Sequence, residues 1–152
     1  MKNSVVSPTQ YVKKSNQYYE SSEFLSPKIS FFTDASVKKD THIAGYGISD
    51  ETMLISFRKK ILTKNNNLAE ITAISEAISL AKLMNLEYLE IFTDCLPALE
   101  QIKRYNIFQK SSEIFLPILK EITQDLVFFK GYKICWIPRH RNSFADKLAE
   151  SN

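Results

Sequence analysis

The triplet Phe-Thr-Asp occurs twice in this chain, as Phe32-Thr33-Asp34 and as Phe92-Thr93-Asp94. Each copy closes an apolar run that reads as a buried strand: Ile29-Ser30-Phe31-Phe32-Thr33 before the first Asp, and Leu89-Glu90-Ile91-Phe92-Thr93 before the second. A carboxylate at the end of such a strand is costly to hold without a partner. Neighbouring strands lie about 5 Å apart, so two such strands side by side would bring their carboxylates together. Like charges that close raise each other's pKa or recruit a cation. The repeat therefore predicts a divalent-metal site at the edge of a sheet, and through it a hydrolase.

The 152 residues suffice for one domain with a core. A hydrophobic fraction of 44% and a charged fraction of 24% are ordinary for a soluble globular chain. No apolar run approaches a membrane span, and the first residues lack a signal-peptide core. Cys95 and Cys135 have no C-x-x-C spacing, which fits free thiols in a reducing compartment. A cytoplasmic protein with no membrane partner is the expectation. The formal net charge is +3, and setting aside four candidate site acids leaves +7. An acidic cluster on a basic body suits an enzyme that holds cations and works on a polyanion. Charge by itself fits an ordinary Lys-rich protein equally well.

Residues 1–27 are rich in Ser, Asn, Gln, Tyr and Lys and show no helical or strand period. They read as a poorly ordered extension, available to a partner of unknown kind. Residues 28–152 read as the folded domain. Its expected strands are Lys28 to Asp34, Ile43 to Ile48 and Met53 to Phe57, joined by short polar connectors into an antiparallel meander. A helix from Leu68 to Met84 and a fourth strand, Leu89 to Thr93, follow. Helical stretches near Leu96 to Lys103 and Ser112 to Leu126 precede a fifth strand, Tyr132 to Ile137, which Pro138 ends. Ser143 to Glu150 reads as a closing helix. The pattern is α/β, a mixed sheet flanked by helices. A right-handed crossover would set the fourth strand parallel to the first, with Asp34 and Asp94 at the same end and on the same face.

Glu70 opens the stripe Glu70, Ile74, Ala77, Ile78 and Ala81, which faces a core at helical spacing. The local alternative is that Asn67 caps the helix and Glu70 is its favoured first-turn acid. Asp146 lies early in the last helix, where Ser143 and Asp146 also match a capping box. Four carboxylates are what two-metal phosphodiester hydrolysis requires, and Mg²⁺ favours such hard oxygen ligands. Nothing favours Zn²⁺, because there is no His pair at helical spacing and no Cys cluster. No phosphate-cradling loop is present, and only His42 and His140 could serve a Ser/His/Asp arrangement.

Five pieces together resemble the type 1 ribonuclease H family, in particular its compact reverse-transcriptase-like branch. They are Phe32-Thr33-Asp34-Ala35-Ser36, Ala44-Gly45-Tyr46-Gly47, Asn66-Asn67-Leu68-Ala69-Glu70, Ile91-Phe92-Thr93-Asp94, and the run from Trp136 through Pro138 to Asp146. The resemblance covers Lys28 to the C-terminus and implies a ribonuclease H-like fold, a five-stranded mixed sheet in the order 3-2-1-4-5. It implies a monomeric endonuclease that cuts the RNA strand of RNA/DNA hybrids with two Mg²⁺ or Mn²⁺ ions, leaving 5′-phosphate and 3′-hydroxyl ends. Asp34, Glu70, Asp94 and Asp146 would be the catalytic metal ligands. Backbone near Ala35 and Ser36 would approach the substrate strand, and Asn67 would sit near the RNA sugar, whose 2′-OH tells RNA from DNA. Arg139, His140 and Arg141 are candidates for phosphate contacts, with a solvated loop as the alternative, and Arg139, His140 and Asn142 complete the expected substrate-binding set.

Three departures stand out. Ala35 replaces a frequent Gly. Trp136 occupies the position at which many bacterial members carry a mobile His, with His140 four residues later. The basic handle of those members is reduced to a short stretch, Arg104 to Ser112, with Arg104 and Lys110 as its bases. The competing readings are a non-catalytic nucleic-acid-binding domain on the same fold, or another nuclease of the superfold. Among the latter, 3′ exonucleases usually carry Asp-x-Glu on strand one, where this chain has Asp34-Ala35-Ser36.

Overall fold

The computed structural model describes residues 17–38, 40–52 and 55–150. Six strands form one sheet: β1 (Tyr18–Glu20), β2 (Phe31–Lys38), β3 (Ile43–Asp50), β4 (Ser56–Leu62), β5 (Tyr88–Thr93) and β6 (Gly131–Trp136). Their order across the sheet is β1-β6-β5-β2-β3-β4. Helices α1 (Asn66–Leu83), α2 (Leu96–Phe108) and α3 (Leu116–Leu126) cover one face, and α4 (Ser143–Glu150) packs on β2 and β3 from the other. Among the described residues no helix is long and apolar enough to cross a membrane.

The two Phe-Thr-Asp copies pair with each other. β2 and β5 run parallel in the register Phe32↔Phe92 and Thr33↔Thr93. The two Phe rings stack with centroids 5.0 Å apart on the α4 face, where they join Cys135, Ile137 and Ala145 in a small core. The larger core lies between the sheet and α1 to α3 and includes Phe31, Ile74, Ile78, Ile91, Leu99 and Ile122.

Helix α1 is buried along both flanks, against the sheet and against α2 and α3. Its run of Ala69, Ala73, Ala77 and Ala81 lets these neighbours approach closely. The cap is Asn65, whose side chain accepts from the Leu68 N–H at 3.0 Å. Asn67, the cap in the local alternative for Glu70, is instead within the first turn, and the first turn has no acid. Glu70 is therefore not held there by capping. Helix α4 comes close to the sheet at Gly47, where a Cβ would lie 2.9 Å from the Ala145 carbonyl and against the Leu148 side chain.

Four strand assignments differ from the sequence reading. The sheet has six strands rather than five, because Tyr18–Glu20 pairs antiparallel with β6. That strand lies in the stretch read as an extension, of which residues 1–16 are outside the described residues. The other five keep the expected order. The first of them is longer than expected, since pairing with β3 continues to Lys38↔Ile43; Asp34 consequently sits inside the strand, opposite Gly47, and not at its end. The second runs to Asp50. The third begins at Ser56 and runs through Arg58, Lys59 and Lys60, whereas the expected Met53 and Leu54 are outside the described residues. An edge strand exposes one row to solvent, so a run of charges is compatible with pairing there.

Candidate active site

Asp34, Glu70 and Asp94 come from three different elements and converge. Parallel pairing of Thr33 with Thr93 sets Asp34 and Asp94 at matching positions, each one residue beyond the shared register. Glu70 reaches them from the buried stripe of α1. One oxygen from each of the three lies within 4.8 Å of the others. Asp34 and Glu70 are only 3% and 4% exposed. Each member of the trio carries one buried oxygen without a hydrogen-bond partner: Asp34 Oδ2, Glu70 Oε1 and Asp94 Oδ2.

Burial is the main force on their protonation. It pushes Asp34 up to about 8, with help from a hydrogen bond to Asp146 and the charge of Asp94. Glu70 is raised well above the usual carboxylate range by burial and then by the charges of Asp34 and Asp94. Asp34 and Glu70 lie close enough that each acts on the other's protonation. Burial also raises Asp94, opposed by a hydrogen bond from Asn142 and the charge of Arg139. Two full charges about 5 Å apart at an effective dielectric of 20 repel by about 3 kcal/mol, so the metal-free cluster keeps protons.

The donors are all oxygens. The one nearby thiol, Cys95, has its pKa pushed up to about 12, first by burial and then by the charge of Glu70, so it stays protonated. Its Sγ lies 3.6 Å from Asn67 Oδ1, and its N–H donates to Thr93 Oγ1 at 3.1 Å. Three carboxylates with unpartnered oxygens and no soft ligand fit a hard divalent cation such as Mg²⁺ or Mn²⁺.

Asp146 stands apart from the trio but touches it. Its carboxyl is hydrogen-bonded with Asp34, and its Oδ1 accepts from Arg139 Nη2 at 3.2 Å. Its backbone N–H donates to the Asn142 carbonyl at 3.0 Å, at the start of α4. All four predicted acids thus meet, three as a compact group and Asp146 as a neighbour linked to Arg139.

The predicted substrate residues divide into two sets. Arg139 and His140 are exposed, on a short 3₁₀ turn that follows Pro138. Ser36 and Asn67 are half-buried near the cluster. Ala35 is 8% exposed, and its N–H is turned to the Asp34 and Glu70 carboxylates. Asn142 is 1% exposed, and its Nδ2 donates to the Thr33 carbonyl at 2.8 Å. It faces the interior and braces β2 against the start of α4.

Two contributors were not read from sequence. Trp136 donates its indole N–H to the Asp94 carbonyl at 3.1 Å; a half-buried Trp needs such a partner, but the sequence does not say which. The Asn142 brace left no local signal, because Asn is common in exposed turns.

A family model described as reverse transcriptase-like matches residues 32–152. No curated protein matches the chain significantly. Solved structures are similar in fold. The N-terminal RNase H domain of a Mycobacterium tuberculosis protein, fused to maltose binding protein, is 22% identical, with a TM-score of 0.69, 83% of this chain and 93% of that one covered. RNase H1 from the halophilic archaeon Halobacterium salinarum is 19% identical, with a TM-score of 0.64 and coverage of 81% and 95%. LC11-RNase H1 in complex with an RNA/DNA hybrid is 23% identical, with a TM-score of 0.65 and coverage of 82% and 95%.

Proposed function

The chain belongs to the reverse transcriptase-like family of ribonuclease H domains, and on that premise we propose that it cuts the RNA strand of RNA/DNA hybrids as a metal-dependent endonuclease. The observation that carries this reading is the trio Asp34, Glu70 and Asp94, which brings one carboxylate oxygen from each within 4.8 Å of the others and leaves each residue a buried oxygen without a partner. Two divalent ions held by these residues and Asp146 would supply Lewis-acid activation of a water and of the scissile phosphate, giving 5′-phosphate and 3′-hydroxyl ends.

The chain's own groups do the rest. The buried carboxylates are pre-arranged by the strand register, so little reorganisation is needed when protons leave the cluster. Arg139 is 75% exposed on its side chain and already tethered by Asp146. A guanidinium held there suits an incoming phosphate through charge-assisted hydrogen bonds. His140, on the same turn, offers a second phosphate contact. Asn67, beside Cys95, is the candidate for reading the 2′-OH, and backbone at Ala35 and Ser36 lines the approach. Asn142 serves as a brace for the carboxylates rather than as a substrate contact.

The presence of Trp136 where many bacterial members carry a mobile His supports a second reading, hybrid binding without cleavage. A substrate panel separates the possibilities. With Mg²⁺ or Mn²⁺, the hybrid should be cut in its RNA strand in preference to single strands and four-way junctions. Binding of the hybrid without cutting favours the second reading, and preferential cutting of junctions or single strands favours another nuclease type.

A further inference from the structure

Of the four acids, Asp94 alone lies outside strand and helix. Asp34 is within β2, Glu70 within α1 and Asp146 within α4, whereas Asp94 stands in the link between Thr93, the last residue of β5, and Leu96, the first of α2. The N-cap of α2 is Cys95, so the helix's backbone bonds begin one residue beyond Asp94: the Leu99 N–H donates to the Cys95 carbonyl at 3.3 Å. The restraint comes from β6, which pairs with β5 up to Thr93↔Trp136. The Ile137 N–H donates to the Thr93 carbonyl at 2.8 Å, and the Trp136 indole N–H donates to the Asp94 carbonyl at 3.1 Å. These two carbonyls belong to the peptide planes on either side of the Asp94 Cα. A residue has two soft backbone dihedrals, so holding both planes fixes both, and with them the direction of the Cα–Cβ bond that carries the carboxylate. The first bond is made by backbone and is open to any residue at 137 except proline. The second depends on the Trp136 side chain, whose half-buried ring packs against the main core. The Asn142 side chain also reaches Asp94, but it holds the carboxylate end and not the backbone. Any half-buried Trp needs an acceptor for its N–H, and a carbonyl elsewhere would meet that need equally; here the acceptor belongs to a candidate metal ligand.

We propose that Trp136 is a positioning residue: its indole N–H fixes the Asp94 backbone, so that the Asp94 carboxylate meets those of Asp34 and Glu70 in an arrangement ready for a divalent cation. It acts through Asp94 and not on the substrate. The proposal rests on the metal-dependent reading of the cluster, and its consequence for metal binding is separable from hybrid cutting.

The chain has one Trp, so replacing tryptophan by benzothienylalanine during synthesis changes this site alone. The analogue keeps the bicyclic shape and puts sulfur where the N–H was. Mn²⁺ binding by the full chain, followed by calorimetry without nucleic acid, should weaken about fivefold, the share of one ordinary hydrogen bond. In hybrid cleavage, the Mg²⁺ concentration for half-maximal rate should rise by the same factor while the KM for hybrid holds. Trp136→Phe should shift both in the same direction, with a larger fall in melting temperature because the smaller ring leaves a gap. Tyr132→Phe is the control. It removes a 3.2 Å hydrogen bond to the Tyr19 hydroxyl from the same strand, and should lower the melting temperature without moving Mn²⁺ affinity. Unchanged Mn²⁺ affinity in the analogue overturns the proposal, whatever its melting temperature, and leaves Trp136 a fold contact. An equal shift in Tyr132→Phe overturns it too, because loosening of β6 would then suffice. A wild type that binds Mn²⁺ more tightly than the analogue but never cuts the hybrid removes the proposed activity alone. A wild type that does not bind Mn²⁺ removes both.

Discussion

The Asn142 carboxamide donates to the Thr33 carbonyl at 2.8 Å and also hydrogen-bonds Asp94, while the Asn142 carbonyl accepts the Asp146 N–H. One buried residue thus ties β2, the end of β5 and the start of α4, which carry three of the four acids. Replacing it with Ala leaves the Thr33 carbonyl unsatisfied, a loss of about 1–3 kcal/mol. Asn142→Ala should lower the denaturant midpoint by that amount and raise the Mg²⁺ concentration needed for half-maximal cleavage. A variant with normal metal dependence would reduce Asn142 to a fold contact. The acids themselves were legible, because a carboxylate inside an apolar pattern is too costly to bury unless a partner or an ion meets it. The inward turn of Asn142 was not, because side-chain direction in an irregular segment is set by packing and leaves no period to read.

Two of the four elements that carry the acids, α4 and α1, each depend on one local contact. Gly47 lets α4 lie close over β3, so Gly47→Ala should push α4 outward at a cost of about 1–3 kcal/mol, as overpacked sites do. Cleavage should fall with it, because Asp146 rides on α4; denaturant melts and hybrid cleavage of the same variant check both. At α1, the Asn65 cap should contribute about 1 kcal/mol. Asn65→Ala should lose it and Asn67→Ala should not, the reverse of what the local capping alternative implies. The elements most legible in the sequence are those with a clear period or punctuation, such as α1, β5, and α4 from Ser143. Arg58-Lys59-Lys60 masked the true extent of the edge strand β4, since charge argues against a strand only where both faces are buried. Tyr18–Glu20 was hidden for another reason: three residues in a polar stretch carry no alternation, and only the exposed edge of β6 recruits them.

Across the whole molecule, the acidic cluster sets stability against function. Asp34 is pushed from 3.8 to about 8, so the folded chain keeps a proton that the unfolded chain releases. That contribution is fully present below about pH 4 and is lost as the pH rises through about 8. The melting temperature of the metal-free protein should therefore fall by a few degrees over that window. Asp34→Asn should flatten the fall, and Mg²⁺ should raise the melting temperature more at pH 8 than at pH 5, because the ion competes with the protons. A flat profile without metal would contradict the buried, protonated cluster. The paired register of the two Phe-Thr-Asp copies assembles this cluster, and the proposed cleavage depends on its chemistry. The most direct measurement is cleavage of a labelled RNA/DNA hybrid in Mg²⁺ or Mn²⁺ by the wild type, Asp34→Asn and Asp94→Asn. The wild type should cut the RNA strand, and each variant should lose ~10³-fold or more; no cutting by the wild type, or equal cutting by the variants, would contradict a metal-dependent nuclease built on these carboxylates.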